Sequence, residues 1–456
     1  MSIYAFCVTE KLEIDWIDDE EIKKKIRWYF SKIVKRKSIE IFESAENVYV
    51  IAYIEKLNTI SLMKKFGELV RFVDGKFEET PKIVIDNLDV DKDFIYEIVQ
   101  LSRYKYFSNK REIIPLKIIL KNGSPYRNKE IDNIVECVYR ARDIVNLSLA
   151  EKSPLRVVEE VKKDIQGLSN INIKIIRGKE LIKEKLNLVY EVGKGSDNEP
   201  CVLILEYLPL KKNEVDFAIV GKGVVFDAGG YNIKLKMMEE MRFDLSGGVA
   251  ALYSLIGLAR KEIKKNVICA VPLVENLVSG GSYKPGDVLF AYNGKSVEIA
   301  NTDAEGRLIL ADVIAYVQEK YRIRCLIDIA SLTLACMIAL GRDIAGIMGN
   351  DKELIKKFME VGERIGENVW EFPLIEEYFA NMLESKIADI RSLPYDPWAG
   401  SIIGGMFLKF FVNKNIRWVH LDIAGPCYTT KPKFIYSAGA TGFGVRLLTK
   451  VIEEER

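Results

Sequence analysis

Val267-Ile-Cys-Ala-Val-Pro-Leu273 is an uninterrupted apolar run with two β-branched valines and an isoleucine. A strand with one wet face alternates apolar and polar residues; a run with no polar interruption is buried on both faces, as in a parallel sheet covered on either side. The pattern around it agrees. Strands are expected at Ile171–Ile176, Cys201–Tyr207, Val215–Val220, Arg324–Ala330 and Trp418–Ile423. Helical spacing occupies Leu155–Ile165, Gly247–Lys261, Arg307–Tyr321 and Thr441–Glu455. Strands that alternate with helices predict an α/β/α layer arrangement around a mainly parallel sheet.

Towards the N-terminus the signal is that of a second, smaller unit. Ile3–Val8 and Val48–Tyr53 read as strands. Asp19–Lys35, Asn58–Phe66, Phe94–Arg103 and Asn128–Leu147 read as helices, Asn58 being an N-cap residue. Ser148–Pro154 resembles a linking segment, with Pro154 at the first turn of a new helix. The expected division is therefore a mixed α/β domain over 1–147, ending in a bridging helix, and a catalytic domain over 148–456. The fold class is α/β with two domains.

Composition narrows the chemistry. The chain has 456 residues, 48% hydrophobic and 29% charged, a globular balance. Net charge is +1, from 67 basic and 66 acidic residues, whereas a nucleic-acid-binding chain normally carries a basic excess. No stretch of about 18 uncharged apolar residues spans a membrane. The N-terminal residues lack the charged start and apolar core of a signal peptide. Seven scattered cysteines with no C-x-x-C pair form neither a disulfide framework nor a thiolate metal site, so a reducing, cytoplasmic location is expected. There is one histidine, His420. Mechanisms that need a histidine pair or a His-Glu-x-x-His helix are thereby excluded. His420 itself, between Trp418-Val419 and Leu421, reads as structural.

In α/β sheets ligands bind beyond the carboxyl ends of the strands. After Val215–Val220 comes Gly221-Lys222-Gly-Val-Val-Phe-Asp227-Ala-Gly229-Gly230-Tyr-Asn-Ile-Lys234, and ten residues later Asp244. After a hairpin around Asn293-Gly294 comes Asn301-Thr302-Asp303-Ala-Glu305-Gly306-Arg307, directly before a helix. These stretches carry four carboxylates (Asp227, Asp244, Asp303, Glu305) and three cations (Lys222, Lys234, Arg307). Four carboxylates match the charge of two divalent ions, and oxygen-plus-amine sites suit Mn²⁺, Mg²⁺, Co²⁺ or Zn²⁺. Simpler readings exist for each segment. Thr302-x-x-Glu305 is also a helix capping box, and Asp227-Ala-Gly-Gly also a turn. Gly294-Lys295-Ser296 is not a phosphate loop, because Leu289 stands where a glycine is required. Composition and spacing alone reach an α/β enzyme and leave metal dependence open.

Asn301-Thr-Asp-Ala-Glu-Gly-Arg-Leu308 resembles the signature octapeptide of the leucine (cytosol) aminopeptidase family of dinuclear metallopeptidases. Val220–Gly230, Val271–Asn276, Tyr283–Asp287, Ile327–Thr333, His420–Gly425 and Gly439–Gly442 are similar to that family's segments, in its order, over roughly residues 140 to 450. The resemblance implies an aminopeptidase that removes N-terminal residues, leucine-type and broadly hydrophobic, from peptides with a free N-terminus, and a homohexamer. It implies two divalent ions (Mn²⁺ or Zn²⁺, with Co²⁺ or Mg²⁺ as alternatives) bridged by hydroxide. Lys222, Asp227, Asp244 and Glu305 would hold the tighter ion, and Asp227, Asp303 and Glu305 the exchangeable one. Lys234 would be a catalytic electrophile, Arg307 would bind a bicarbonate proton shuttle, and Met241 and Leu334 would line the substrate pocket. Two other classes stay open: a non-catalytic scaffold or DNA-binding member of the family, and another two-metal hydrolase such as a phosphoesterase. Four features depart from the family pattern: Leu235 replaces a proline, the stretch from Lys234 to Asp244 is one residue short, Leu334 stands where glycine is usual, and Pro426 replaces a commoner threonine. Leu334 is expected to narrow the pocket.

Overall fold

The computed structural model describes residues 1–32 and 39–455. Two compact units emerge: Met1–Tyr139 with Thr429–Gly439, and Arg140–Tyr428 with Ala440–Arg456. The division falls inside the helix Lys129–Asn146, where the sequence reading placed it at residue 147, and a short C-terminal stretch joins the first unit. No helix among the described residues is long and apolar enough to cross a membrane.

The smaller unit carries a five-stranded mixed sheet. Ser2–Val8 lies at its centre, parallel to Asn47–Tyr53 on one side and Lys82–Val84 on the other. Asn58 caps the helix Thr59–Val73 by accepting from the Ser61 amide. The first helix is Glu20–Lys32; the remainder of the expected Asp19–Lys35 helix, residues 33–35, lies outside the described residues.

In the larger unit a nine-stranded sheet is built around four parallel strands in the order Arg417–Asp422, Arg322–Ala330, Glu214–Gly221, Val267–Asn276. Gly223–Asp227 continues parallel to the far end of Val267–Asn276. Cys201–Tyr207 and then Ile171–Arg177 extend one edge through antiparallel pairings, and Ala345–Gly349 extends the other antiparallel, with Val369–Glu371 parallel to it. All ten residues of Val267–Asn276 are buried, which is the condition that its apolar run encodes. The strand Ala345–Gly349 and the helices Lys352–Ile365 and Gly400–Lys409 complete this unit, although the sequence reading assigned them no element.

Two helices are enclosed almost all round. Ser246–Arg260 is buried from Ser246 to Ala259, and Glu305–Lys320 from Glu305 to Val317. Neither has a polar face of the usual width, so each lies inside the unit and not on its surface. The first abuts the end of Glu214–Gly221: the Gly248 amide donates to Lys222 O at 2.6 Å, and a Cβ on Gly248 would lie 3.0 Å from that oxygen. This close approach brings the Asp244 end of one segment beside Lys222 at the end of another.

Inside the sheet, Asp328 is fully buried and accepts from Trp418 Nε1 at 2.7 Å and from His420 Nδ1 at 2.5 Å. Burial lowers the imidazole's proton affinity, but the carboxylate beside it more than offsets this and holds the His420 pKa above its ordinary value. The single histidine is thus half of a buried ion pair inside the sheet, outside the cavity described below. Replacing His420 by Leu strands the Asp328 charge and is expected to cost about 3–5 kcal/mol in urea unfolding. The double replacement His420→Leu/Asp328→Leu removes both charges and is expected to cost less than the single one. Because the folded pKa is raised, the pair's contribution is complete below about pH 6.5 and fades as pH climbs through the folded value. The gap between wild type and His420→Leu should shrink accordingly.

Candidate metal centre

The residues singled out from sequence converge where the parallel strands end. Lys222 follows the strand Glu214–Gly221, and Asp227 closes Gly223–Asp227. Asp244 caps the 3-10 helix Met238–Phe243, and Glu305 is the first residue of the helix Glu305–Lys320. Strand ends point their side chains into a shared crevice, which is why segments far apart in sequence meet here. Lys222, Asp227, Lys234, Met241, Asp244, Asp303, Glu305 and Leu334 all line one cavity of about 570 Å³.

The charged groups interlock. Lys222 Nζ lies 2.9 Å from Asp244 Oδ2 and 2.8 Å from Glu305 Oε1, and donates to Ser331 O at 2.9 Å. Lys234 Nζ lies 2.8 Å from Asp227 Oδ2 and also pairs with Asp303 Oδ1. Lys222, Asp227 and Glu305 are each 3% exposed or less, so their charges depend on one another and not on water. Burial raises the carboxyl of Asp244 to about 6 in spite of Lys222, and with the neighbouring Glu305 charge raises Asp227 well above its usual value. Glu305 moves the other way: burial is outweighed by Lys222 and Lys234, and its pKa falls. Both lysines are pushed up, burial notwithstanding, by the carboxylates around them. In this arrangement the two ammonium groups are the counter-charge of four carboxylates.

The donor set fits cations beyond those two. Oxygens of Asp227, Asp303 and Glu305 lie within 4.8 Å of one another. Among the described residues Glu305 Oε2 is buried with no hydrogen-bond donor, and Asp244 Oδ2 and Asp303 Oδ1 face only the ammonium groups of Lys222 and Lys234. Buried carboxylate oxygens left unsatisfied are costly, and a divalent ion satisfies several at once. Lysine can act as a metal ligand only when neutral, so an ion bound beside Lys222 must displace its proton.

Sequence signals also have simpler explanations, and the structure decides between them. The capping-box reading of Thr302 and Glu305 does not hold: the helix is capped at Ala304 without a side-chain hydrogen bond. Thr302 Oγ1 instead donates to Gly229 O at 2.7 Å, which leaves the Glu305 carboxylate facing the cavity. A Cβ on Gly306 would come within 2.6 Å of the Lys222 side chain, so glycine there makes room for the lysine. The shortened loop after Lys234 closes through Met237, in the left-handed conformation at φ 59°, into the 3-10 helix. Leu235 is 90% exposed at the cavity rim. Arg307 is not among the cavity-lining residues. Its guanidinium is buried, donates to Ser392 O at 2.9 Å, and its Nε has no acceptor among the described residues. Burial lowers its pKa to about 10, so it remains a cation at neutral pH.

Several contributors escaped the sequence reading. Ser331 Oγ donates to Asp244 Oδ1 at 2.7 Å. Asn276 Nδ2 donates to Asp227 Oδ1 at 2.7 Å. Thr333 Oγ1 donates to the buried Asp422 carboxylate at 2.6 Å, which also accepts from the Leu332 amide at 3.1 Å and so anchors the cavity wall beside Leu334. Asn276, Ser331 and Thr333 lie at or just past the carboxyl ends of apolar strands, so the rule that found Lys222 and Asp227 would have found them too.

Comparison with known proteins follows the same lines. A profile described as "Cytosol aminopeptidase family, catalytic domain" matches residues 139–449. A "Probable cytosol aminopeptidase" of Rickettsia bellii (strain OSU 85-389) is 40% identical over 323 residues, 70% of this chain and 64% of the relative. The chain thus matches slightly under two thirds of that relative's length. One of Protochlamydia amoebophila (strain UWE25) is 37% identical over 383 residues, 82% of this chain and 72% of the relative. Among solved structures, the "Bottromycin maturation enzyme BotP in complex with Mn" has a TM-score of 0.85 at 25% identity and covers 99% of both chains. A leucyl aminopeptidase from Leishmania major in complex with actinonin has a TM-score of 0.85 at 22% identity, covering 99% of this chain and 92% of that one, and speaks to the fold alone. With the profile spanning more than half of its length, this chain belongs to the cytosol aminopeptidase family.

Proposed function

We propose that the protein is a metal-dependent aminopeptidase that removes N-terminal residues from peptides. The observation that carries this reading is the gathering of Lys222, Asp227, Asp244, Asp303 and Glu305 in one cavity whose lining also includes Met241, Leu332, Leu334 and Met337. Lys222, Asp227, Asp244 and Glu305 would hold one divalent ion, and Asp227, Asp303 and Glu305 a second. Manganese is favoured by the BotP complex with Mn, and zinc, cobalt or magnesium suit the same donors. When bound, such a pair supplies Lewis acidity for a carbonyl and lowers the pKa of a water molecule to make it nucleophilic.

The chain's own groups supply the rest. Lys234 keeps its proton at neutral pH and presents an ammonium to the oxygen on which negative charge develops. Arg307, buried and cationic with no acceptor at its Nε among the described residues, would hold a small anion such as bicarbonate, which would supply proton-shuttle chemistry when bound. The substrate's free α-amine would be a ligand to the divalent ions held by these carboxylates, which would restrict cleavage to the first residue. Met241, Leu334 and Met337 offer apolar, adaptable surface to that residue's side chain. A cytoplasmic location is supported by seven buried cysteines without a C-x-x-C pair and by the relatives' names. A homohexamer is the assembly that the family resemblance supports.

Free leucyl-p-nitroanilide should be hydrolysed and its N-acetylated form should not. Chelation should abolish turnover and Mn²⁺ restore it; equal cleavage of both substrates, or full activity in chelator, would refute the reading. Asp303→Asn and Glu305→Gln should each lower kcat at least ~10³-fold, a loss of about 4 kcal/mol of transition-state stabilisation, with unchanged circular dichroism. Leu334 is 56% exposed on the cavity wall. Leu334→Gly should raise kcat/KM for leucyl relative to alanyl substrates, and an unchanged ratio would show that Leu334 does not set pocket width.

A further inference from the structure

The two acidic segments of the centre meet through one neutral side chain. Asn276 is the last residue of the strand Val267–Asn276, fully buried, and sits opposite Asp227 in the adjacent parallel strand. Its Nδ2 donates twice: to Asp227 Oδ1 at 2.7 Å and to Thr302 O at 2.9 Å. Both partners are acceptors only, so the amide must turn its NH₂ group towards them, and both of its hydrogens are committed. Among the described residues its Oδ1 has no donor, a cost borne for this orientation.

The Thr302 carbonyl belongs to the peptide that leads into Asp303. That carbonyl also accepts from Tyr283 OH at 2.7 Å, and on the other side of the peptide the Asp303 amide donates to Asn301 Oδ1 at 2.7 Å. The peptide plane is therefore held at both ends, which fixes the direction in which Asp303 leaves the chain. A second tie lies beside it: the Asn232 amide donates to Thr302 Oγ1, and the Thr302 amide donates to Asn232 Oδ1, each at 2.9 Å. Asn232 lies two residues before Lys234, so the loops that carry Lys234 and Asp303 are pinned to each other as well.

We propose that Asn276 is a positioning residue that ties the Asp227 carboxylate to the Thr302–Asp303 peptide and so sets the spacing at which two cations are held together. The inference rests on the reading that divalent ions bind here. Like-charged carboxylates drift apart unless a donor draws them in, and an amide with two N–H groups can draw in two acceptors without adding charge. Loss of the tie leaves the Thr302 carbonyl with Tyr283 OH alone and loosens Asp303 more than Asp227, which keeps its place in a strand and the Gly229 amide on its Oδ1. The cation that shares Asp303 is then the one that loosens.

The test is titration of the full-length protein with Mn²⁺, followed by calorimetry and electron paramagnetic resonance. Wild type should bind two ions and show the spectrum of an exchange-coupled pair at two equivalents. Asn276→Ala should keep one affinity and weaken the other about 10–100-fold, the usual cost of losing a partner that orients a metal ligand. It should show the six-line spectrum of isolated Mn²⁺ instead. A merely structural role would lower the unfolding temperature and leave both the stoichiometry and the coupled spectrum in place, and that result overturns the proposal. If Asn276→Ala does not fold, Asn276→Ser serves: one hydroxyl hydrogen cannot serve two acceptors, so the same loss is expected, and retention of both affinities refutes the inference. A wild type that binds no manganese overturns the metal reading and this inference with it, whereas a wild type that binds two alongside an unaffected variant overturns the inference alone.

Discussion

Four carboxylates that share one buried space repel one another, and the remainder of the catalytic unit is arranged to tolerate that. Oxygens of Asp227, Asp303 and Glu305 come within 4.8 Å of each other. At that separation and an effective dielectric of 20, each pair of full charges costs about 3 kcal/mol or more. Lys222 and Lys234 return much of this by sitting between the carboxylates, and the opposite pKa directions of Glu305 and Asp227 show how unevenly the compensation is shared. A centre poised in this way holds positive charge avidly, whether as ammonium groups or as divalent ions that displace their protons.

The scaffold meets this requirement with close backbone approach at the strand ends. The Gly248 amide reaches Lys222 O, and Gly306 leaves room for the Lys222 stem. Neutral polar side chains then orient the charged ones without adding to the repulsion: Ser331 on Asp244, Asn276 on Asp227, Thr302 between the two loops. Where a charge is used in support it is itself fully engaged. Asp422 anchors the Leu332–Thr333 wall through amide and hydroxyl donors, and Asp328 is shared by Trp418 and His420.

The same economy brings charged and apolar lining together. Met241, Met337, Leu334 and Leu332 line the same cavity as the carboxylates, so an apolar side chain and a polar backbone of one ligand can be accommodated together. Leu334 starts the helix Leu334–Leu340, whose cap, Thr333, is held by Asp422; the position of this wall is therefore determined from the sheet outward.

Much of this was legible in the residues. The apolar run at Val267 determined a strand buried on both faces, the lone histidine excluded whole classes of metal site, and the polar residues after Val215–Val220 and before Arg307–Tyr321 located the charged centre. Those inferences depend on local chemistry, which a chain carries with it. Other features depend on contacts between residues far apart in sequence. The sequence could not say that Thr302 would bond to Gly229 O and not cap its helix, because a threonine three residues before a glutamate satisfies either geometry until the facing loop is in place. Nor could it give Arg307 Ser392 O as a partner or join Asn276 to both Asp227 and Thr302, whereas the helix Lys352–Ile365, missed in the sequence reading, carries a clear helical period between the Asp351 cap and Gly366. Sequence determines which groups need partners. Only the tertiary structure decides which partners they get, because a buried hydrogen bond or ion pair is directional and depends on where the other strand ends.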